Sequence, residues 1–169
     1  MQSHMNIVVS AQGTLTLGNK QYPCALGRSG VSEEKREGDG MTPVGCFPLR
    51  EVLYRADRVA APETALPTSA LAENDGWCDD SADPNYNKRV SLPYSASHER
   101  LWREDSVYDI IVPLGYNDDP AIPGKGSAIF LHIARPNYSP TAGCVALALP
   151  DLIQILKEVS PGTMLCVTA

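Results

Sequence analysis

Long apolar runs, clusters of basic residues and closely spaced metal ligands are all missing from this chain of 169 residues. No stretch approaches the roughly 18 consecutive apolar residues that a membrane-spanning helix needs, so no membrane span is expected. No run of Lys and Arg could follow a phosphate backbone, and the formal net charge is −6. Nucleic-acid binding is therefore not expected. Histidine occurs only at His4, His98 and His132, and the five cysteines (Cys24, Cys46, Cys78, Cys144, Cys166) stand far apart. With no Cys-x-x-Cys pair, the spacing argues against a zinc site, and neither metal nor cofactor is expected. Strong helical periodicity is scarce as well. Together with 13 Gly and 14 Pro, that scarcity favours short strands and many turns over a helical bundle.

What remains reads as one globular domain over residues 5–169, long enough to bury its own core. Met1-Gln2-Ser3-His4 has neither a basic n-region nor an apolar h-region and reads as a cloning remnant ahead of a native Met5. The export route and the oligomeric state stay open. Cys24, Cys46 and Cys166 each lie inside an apolar run and are expected to be small buried hydrophobes.

Strand-like alternation begins at once, in Asn6–Ser10 and Thr14–Leu17 around the turn Ala11-Gln12-Gly13, which predicts a hairpin. Tyr22–Gly27 extends it. Gly27–Gly45 reads as a charged, glycine-rich loop, and strand character resumes over Cys46–Tyr54. Residues 56–106 are the least periodic part, and so long an irregular insert is more often functional than idle. It reads either as a lid or wall facing substrate or as a plain surface excursion. Two apolar runs follow, Val107–Val112 and Ala128–Ile133, separated by the turn-rich Gly115–Gly126. One helix is clear, because Leu149, Leu152, Ile153, Leu156 and Val159 share a face and Pro161-Gly162 stops it. Thr163–Val167 closes the chain as a strand. The expectation is a mainly β domain with one or two short helices and the long irregular insert.

Chemistry concentrates between Leu131 and Leu147. His132 stands at the end of an apolar strand, and twelve residues later Cys144 follows the small-residue turn Thr141-Ala142-Gly143. A strand, a loop and a return can bring the two side chains together. A neighbouring imidazole would then lower the thiol pKa and supply a nucleophilic thiolate. Gly143 permits tight backbone geometry, so main-chain N–H groups near Cys144 could receive an oxyanion. On these residues alone, a core His and a core Cys is an equal reading. Cys78, beside the two acidic residues Asp79 and Asp80, is expected to ionise less readily than Cys144 because nearby negative charge disfavours the thiolate.

The tetrapeptide Thr141-Ala142-Gly143-Cys144, followed by Val145 and preceded by the strand His132, resembles the signature of the L,D-transpeptidase catalytic-domain (YkuD-like) family. Gly38-Asp39-Gly40-Met41-Thr42-Pro43-Val44-Gly45-Cys46-Phe47 is similar to that family's Thr-Pro-x-Gly-x-Phe element. The resemblance implies a β-sandwich-like fold. It implies Cys144 as nucleophile, His132 as general base and acid, and the Ile133 carbonyl as the group orienting the imidazole. The implied reaction is attack on a peptidoglycan stem peptide, giving a thioester that an amine of a second stem resolves into a cross-link. The implied partners are thus donor and acceptor stem peptides, in the periplasm or cell envelope. If water resolved the thioester the protein would be an L,D-carboxypeptidase or amidase, and a non-catalytic wall-binding module is the reading from a different class.

Two positions depart from the family pattern: Ala142 stands where a second His is usual, and Ala146 where Arg is common. Arg135 and Arg103 could supply the cation for substrate carboxylates instead; otherwise each is an ordinary surface Arg. Thr141 and Tyr138 are further candidates for contact with substrate. In the insert, Trp77 and Tyr86 could line a groove for an extended peptide, Asn87 could hydrogen-bond its backbone, and His98 could reach the site. The substitutions and the insert together suggest a divergent subgroup with its own cross-link position.

Overall fold

The computed structural model describes residues 5–169; Met1-Gln2-Ser3-His4, read as a cloning remnant, lies outside the described residues. The chain opens with β1 (Ile7–Val9), β2 (Thr14–Leu17) and β3 (Lys20–Pro23), an antiparallel meander. The loop expected over Gly27–Gly45 carries two very short parallel strands, β4 (Val31–Ser32) and β5 (Thr42–Pro43). The next predicted strand divides into β6 (Gly45–Pro48) and β7 (Val52–Tyr54), which join different sheets. The long insert is more regular than its composition suggests. It holds β8 (Thr68–Ala70), β9 (Asp75–Cys78), β10 (Arg89–Ser91) and β11 (His98–Arg100). After it come β12 (Ile110–Pro113), β13 (Phe130–Ile133), β14 (Val145–Leu147), α1 (Leu149–Glu158) and β15 (Met164–Val167).

Two five-stranded sheets carry the domain, in the orders β3-β2-β1-β15-β6 and β14-β13-β12-β7-β8. Register explains the first. Ile7 pairs Leu17 and Leu165, and Val9 pairs Leu15 and Val167, so all these side chains share one buried face. The intervening positions, Val8, Cys46 and Cys166, face outward, where Val8 is 41% exposed. This overturns the expectation of buried thiols at Cys46 and Cys166. They are cross-strand partners on the outer face and form a disulfide. Cys24 is buried, as expected.

The second sheet is apolar on both faces, because something packs on each. Val52, Ile110, Val112, Leu131, Val145 and Leu147 join the main core with the first sheet and with Leu152, Ile155 and Leu156 of α1. The opposite face presents Leu53, Ile111, Phe130 and Cys144 to a second cluster containing Leu101, Val107 and Tyr108. Trp77 of the insert packs edge-on against Phe130, with ring centroids 5.0 Å apart. The insert's own sheet, β10-β9-β11, thus covers the face of the second sheet that bears Cys144.

Candidate active site

Parallel pairing of β13 with β14 sets His132 beside Ala146 and Leu131 beside Val145. Cys144, one residue before β14, therefore lies next to Phe130, on the same face as His132. Both are buried, His132 at 5% exposure and Cys144 at 6%. Both line a cavity of about 260 Å³.

The turn before Cys144 is held by Thr141. Its hydroxyl donates to the Cys144 carbonyl at 2.7 Å and accepts from the Gly143 N–H at 3.0 Å. Gly143 has φ +140, and a Cβ there would lie 2.8 Å from the Met41 carbonyl oxygen, so only glycine fits. The Thr141 main chain is bracketed by Leu26 and Arg28. Between them, the Gly27 N–H donates to the hydroxyl of the fully buried Thr42 at 2.9 Å. The two sequence motifs are thus packed on each other, the Thr42-Pro43 element backing the turn that presents Cys144.

His132 Nδ1 lies 2.9 Å from the Ile133 carbonyl oxygen. A carbonyl only accepts, so Nδ1 carries the proton and Nε2 is left as the basic nitrogen. The Tyr108 ring packs edge-on against the imidazole at 5.2 Å. Burial lowers the imidazole pKa from 6.5 to about 4, with the nearby Arg135 and Arg103 charges acting in the same direction against the Ile133 hydrogen bond.

The expectation of a ready thiolate is corrected. Cys144 Sγ donates to the Ala128 carbonyl at 3.2 Å and accepts from the Phe130 N–H at 3.3 Å. It makes no hydrogen bond to His132. Burial pushes its pKa up to about 12, and the carboxylate of Glu99 adds to that effect. The resting pair is neutral thiol and neutral imidazole, because desolvation disfavours the charged form of each. Burial also raises the thiol of Cys78, ahead of any effect of Asp83 and Asp80. Access rather than acidity separates the two thiols, since Cys144 lines the cavity and Cys78 does not.

Arg135, Arg103 and Thr141 also line the cavity. Arg103 is tied to Asp105 by two hydrogen bonds of 2.8 and 2.7 Å, and Arg135 approaches the same carboxylate at 3.8 Å. Trp77, Tyr86, Asn87, His98 and Tyr138 are not among the lining residues. Asn87 is a buried bracket. Its Oδ1 accepts from Trp77 Nε1 and the Ala128 N–H, and its Nδ2 donates to the Tyr116 and Asn117 carbonyls. The Tyr86 hydroxyl donates to Glu37 at 2.7 Å and accepts from the Gly126 N–H at 3.0 Å. His98 Nδ1 lies 2.9 Å from the Ala96 carbonyl oxygen, and Tyr138 sits in the short 3₁₀ turn Pro136–Tyr138.

Sequence reasoning passed over Lys35, Glu37, Asp79, Glu99 and Tyr108, all of which line the cavity. The Tyr108 hydroxyl donates to Glu99, whose pKa is raised chiefly by burial. Only the glycine- and charge-rich composition around residue 35 hinted at any of them. The described residues contain no cluster of side chains able to hold a metal ion.

A two-sheet β domain with Cys and His on one sheet face above a charged cavity is the class of protein that this fold and site define. The chain belongs to the L,D-transpeptidase catalytic-domain (YkuD) family, whose model matches residues 4–167. Among solved structures it is similar to Bd1075 of Bdellovibrio bacteriovorus, at 15% identity and a TM-score of 0.52, over 98% of this chain and 48% of that one. L,D-transpeptidase 3 of Mycobacterium tuberculosis, solved with a faropenem-derived adduct, matches at 17% identity and a TM-score of 0.48, over 98% and 60%. L,D-transpeptidase 1 of the same organism matches at 12% identity and a TM-score of 0.45, over 98% and 62%. The chain thus spans about half to three-fifths of the length of these structures. No curated protein matches it by sequence.

Proposed function

We propose that the protein is a peptidoglycan L,D-transpeptidase of the bacterial cell envelope, with Cys144 as nucleophile and His132 as general base and acid. The observation that carries this reading is the shared cavity. Cys144 and His132 both line it, together with the cations Arg28, Arg103 and Arg135 and the carboxylates Asp79, Glu99 and Glu37. A stem peptide bearing both amino and carboxylate groups is complementary to such a lining.

The neutral resting pair implies that proton transfer accompanies attack. The Cys144 S–H leaves the Ala128 carbonyl and turns to His132 Nε2 as Sγ bonds to the scissile carbonyl carbon. The imidazolium, held by the Ile133 carbonyl, then protonates the departing amine, and a thioester remains. An amine of a second stem then attacks the thioester carbonyl and gives its proton to His132; the C–S bond breaks as the cross-link amide forms, and the departing Cys144 sulfur takes that proton back from the imidazolium. Ala142 and Ala146 leave the nucleophile with fewer polar neighbours, and the insert lends its own charged groups to the cavity. On these grounds the cross-link position differs from one between third-position diamino acids.

The test is incubation of purified protein with disaccharide-tetrapeptide, followed by mass spectrometry. Cross-linked dimers and a thioester mass on Cys144 are expected, with both absent from Cys144→Ala. Trimmed monomers without dimers would make water the acceptor and the protein a carboxypeptidase. Dimers joined only between third-position residues would overturn the cross-link assignment.

A further inference from the structure

We infer that Lys35 is a further catalytic residue, whose ammonium faces the carbonyl oxygen attacked by Cys144 and carries the oxyanion formed there. The inference rests on Cys144 being the nucleophile.

Lys35 is only 6% exposed, and it lines the same cavity as Cys144 and His132. Buried lysines are rare unless paired, and this one is paired on one side only. Its Nζ donates to Asp39 Oδ1 at 2.6 Å and to the Arg36 carbonyl at 3.0 Å. An ammonium has three donors, so one remains for whatever occupies the cavity. Two glycines make room for the side chain. A Cβ on Gly126 would lie 3.2 Å from Lys35 Cγ and Cε, and a Cβ on Gly143 would lie 3.6 Å from Nζ. The charge is therefore fixed beside the peptide that precedes the nucleophile.

The turn supplies one main-chain oxyanion donor at the nucleophile, the Cys144 N–H, which hydrogen-bonds to no other group among the described residues. The neighbouring Gly143 N–H already serves Thr141 Oγ1, and the Ala142 side chain is only a methyl group, so a second donor has to come from outside the turn. A charge preorganised where the negative charge develops is effective at this step. Of the charges acting on Sγ, Glu99 opposes ionisation and Lys35 favours it.

In the step, Sγ gives its proton to His132 as the S–C bond forms, and the carbonyl π pair moves onto oxygen, facing Nζ. When the oxyanion collapses, the C–N bond breaks and the leaving amine takes its electron pair and the proton from His132. Lys35 keeps its three protons throughout.

A purely structural role is the rival, because Asp39 also accepts from the Arg36 and Met41 N–H groups and so ties the loop. The experiment compares wild type with Lys35→Met and Lys35→Arg, with Lys35→Gln read in place of Lys35→Met should that variant not fold. Melting temperature reports the loop. Alkylation of Cys144 by neutral iodoacetamide and by anionic iodoacetate, located by mass spectrometry, reports local charge without any wall substrate. Thioester formation from disaccharide-tetrapeptide reports the step itself. For Lys35→Met we expect a fall of threefold or more in the iodoacetate-to-iodoacetamide rate ratio. Acylation should fall roughly a hundredfold with KM changed little, and Lys35→Arg should recover part of both. An unchanged ratio, or a loss that follows melting temperature alone, overturns the inference. If wild type forms no thioester, the transpeptidase reading fails, and the alkylation ratio still decides whether the Lys35 charge acts at Sγ.

Discussion

Gly143 and His132 show how far single residues set the chemistry. Gly143 combines φ +140 with a Met41 carbonyl oxygen 2.8 Å from where a Cβ would stand. Gly143→Ala should therefore strain or displace the turn, at a cost of roughly 1–3 kcal/mol. We expect acyl-enzyme formation to fall tenfold or more, and wild-type rates in that variant would show that the turn has room to relax. His132 makes stability depend on pH. Burial holds its pKa at about 4 in the folded chain, against 6.5 for a solvated imidazole. As pH falls through that window the unfolded chain binds a proton that the folded chain refuses, so stability is full above about 6.5 and declines towards 4. The loss is on the order of 3 kcal/mol. Urea unfolding at pH 7 and pH 4.5 should show most of this loss, and His132→Gln should flatten it. An equal slope in His132→Gln would assign the effect to other groups.

Among the elements, the insert changes most between expectation and structure. Its Asp-, Ser-, Pro- and Asn-rich stretches conceal the strands, because β9, β10 and β11 are only three or four residues long and draw their partners from one another. Periodicity cannot show in so short a window. Asn87 fastens this sheet to the rest of the domain through four hydrogen bonds, and its φ of 59 is one that asparagine tolerates better than most residues. Asn87→Ala should leave several buried polar groups unpaired and cost roughly 2–4 kcal/mol. Hydrogen exchange would localise the loosening to 75–100 and 116–128. Protection unchanged in both segments would contradict the bracket role.

For the molecule as a whole, the Cys46–Cys166 disulfide joins two strands of the first sheet that lie 120 residues apart in sequence. Closing so long a loop restricts the unfolded chain, and its reduction should cost about 4–5 kcal/mol. The melting temperature would fall by roughly 10 °C. Calorimetry with and without reductant checks this, and Cys46→Ser should melt at the same temperature in both conditions. A bond of this kind persists in an oxidising compartment, which fits the proposed place in the cell envelope. No helix among the described residues is long and apolar enough to cross a membrane.

Sequence by itself determined the parts that depend on local order. The alternation of Ile7–Val9 with Thr14–Leu17, the single helical face of Leu149–Val159 and the small-residue turn before Cys144 all follow from neighbours along the chain. The pairing of that turn with a strand histidine, and the Thr42-Pro43 element behind it, also carried the family resemblance. Tertiary structure alone decided what depends on distant partners. Cys46 and Cys166 became a bridge because β6 and β15 meet in register. Lys35, Glu99 and Tyr108 entered the cavity because separate loops and strands converge on one face of the second sheet. Cys144 and His132 rest neutral for the same reason. Proximity can be foreseen from spacing, but the loss of solvent that governs their charge arises only when the insert folds over them.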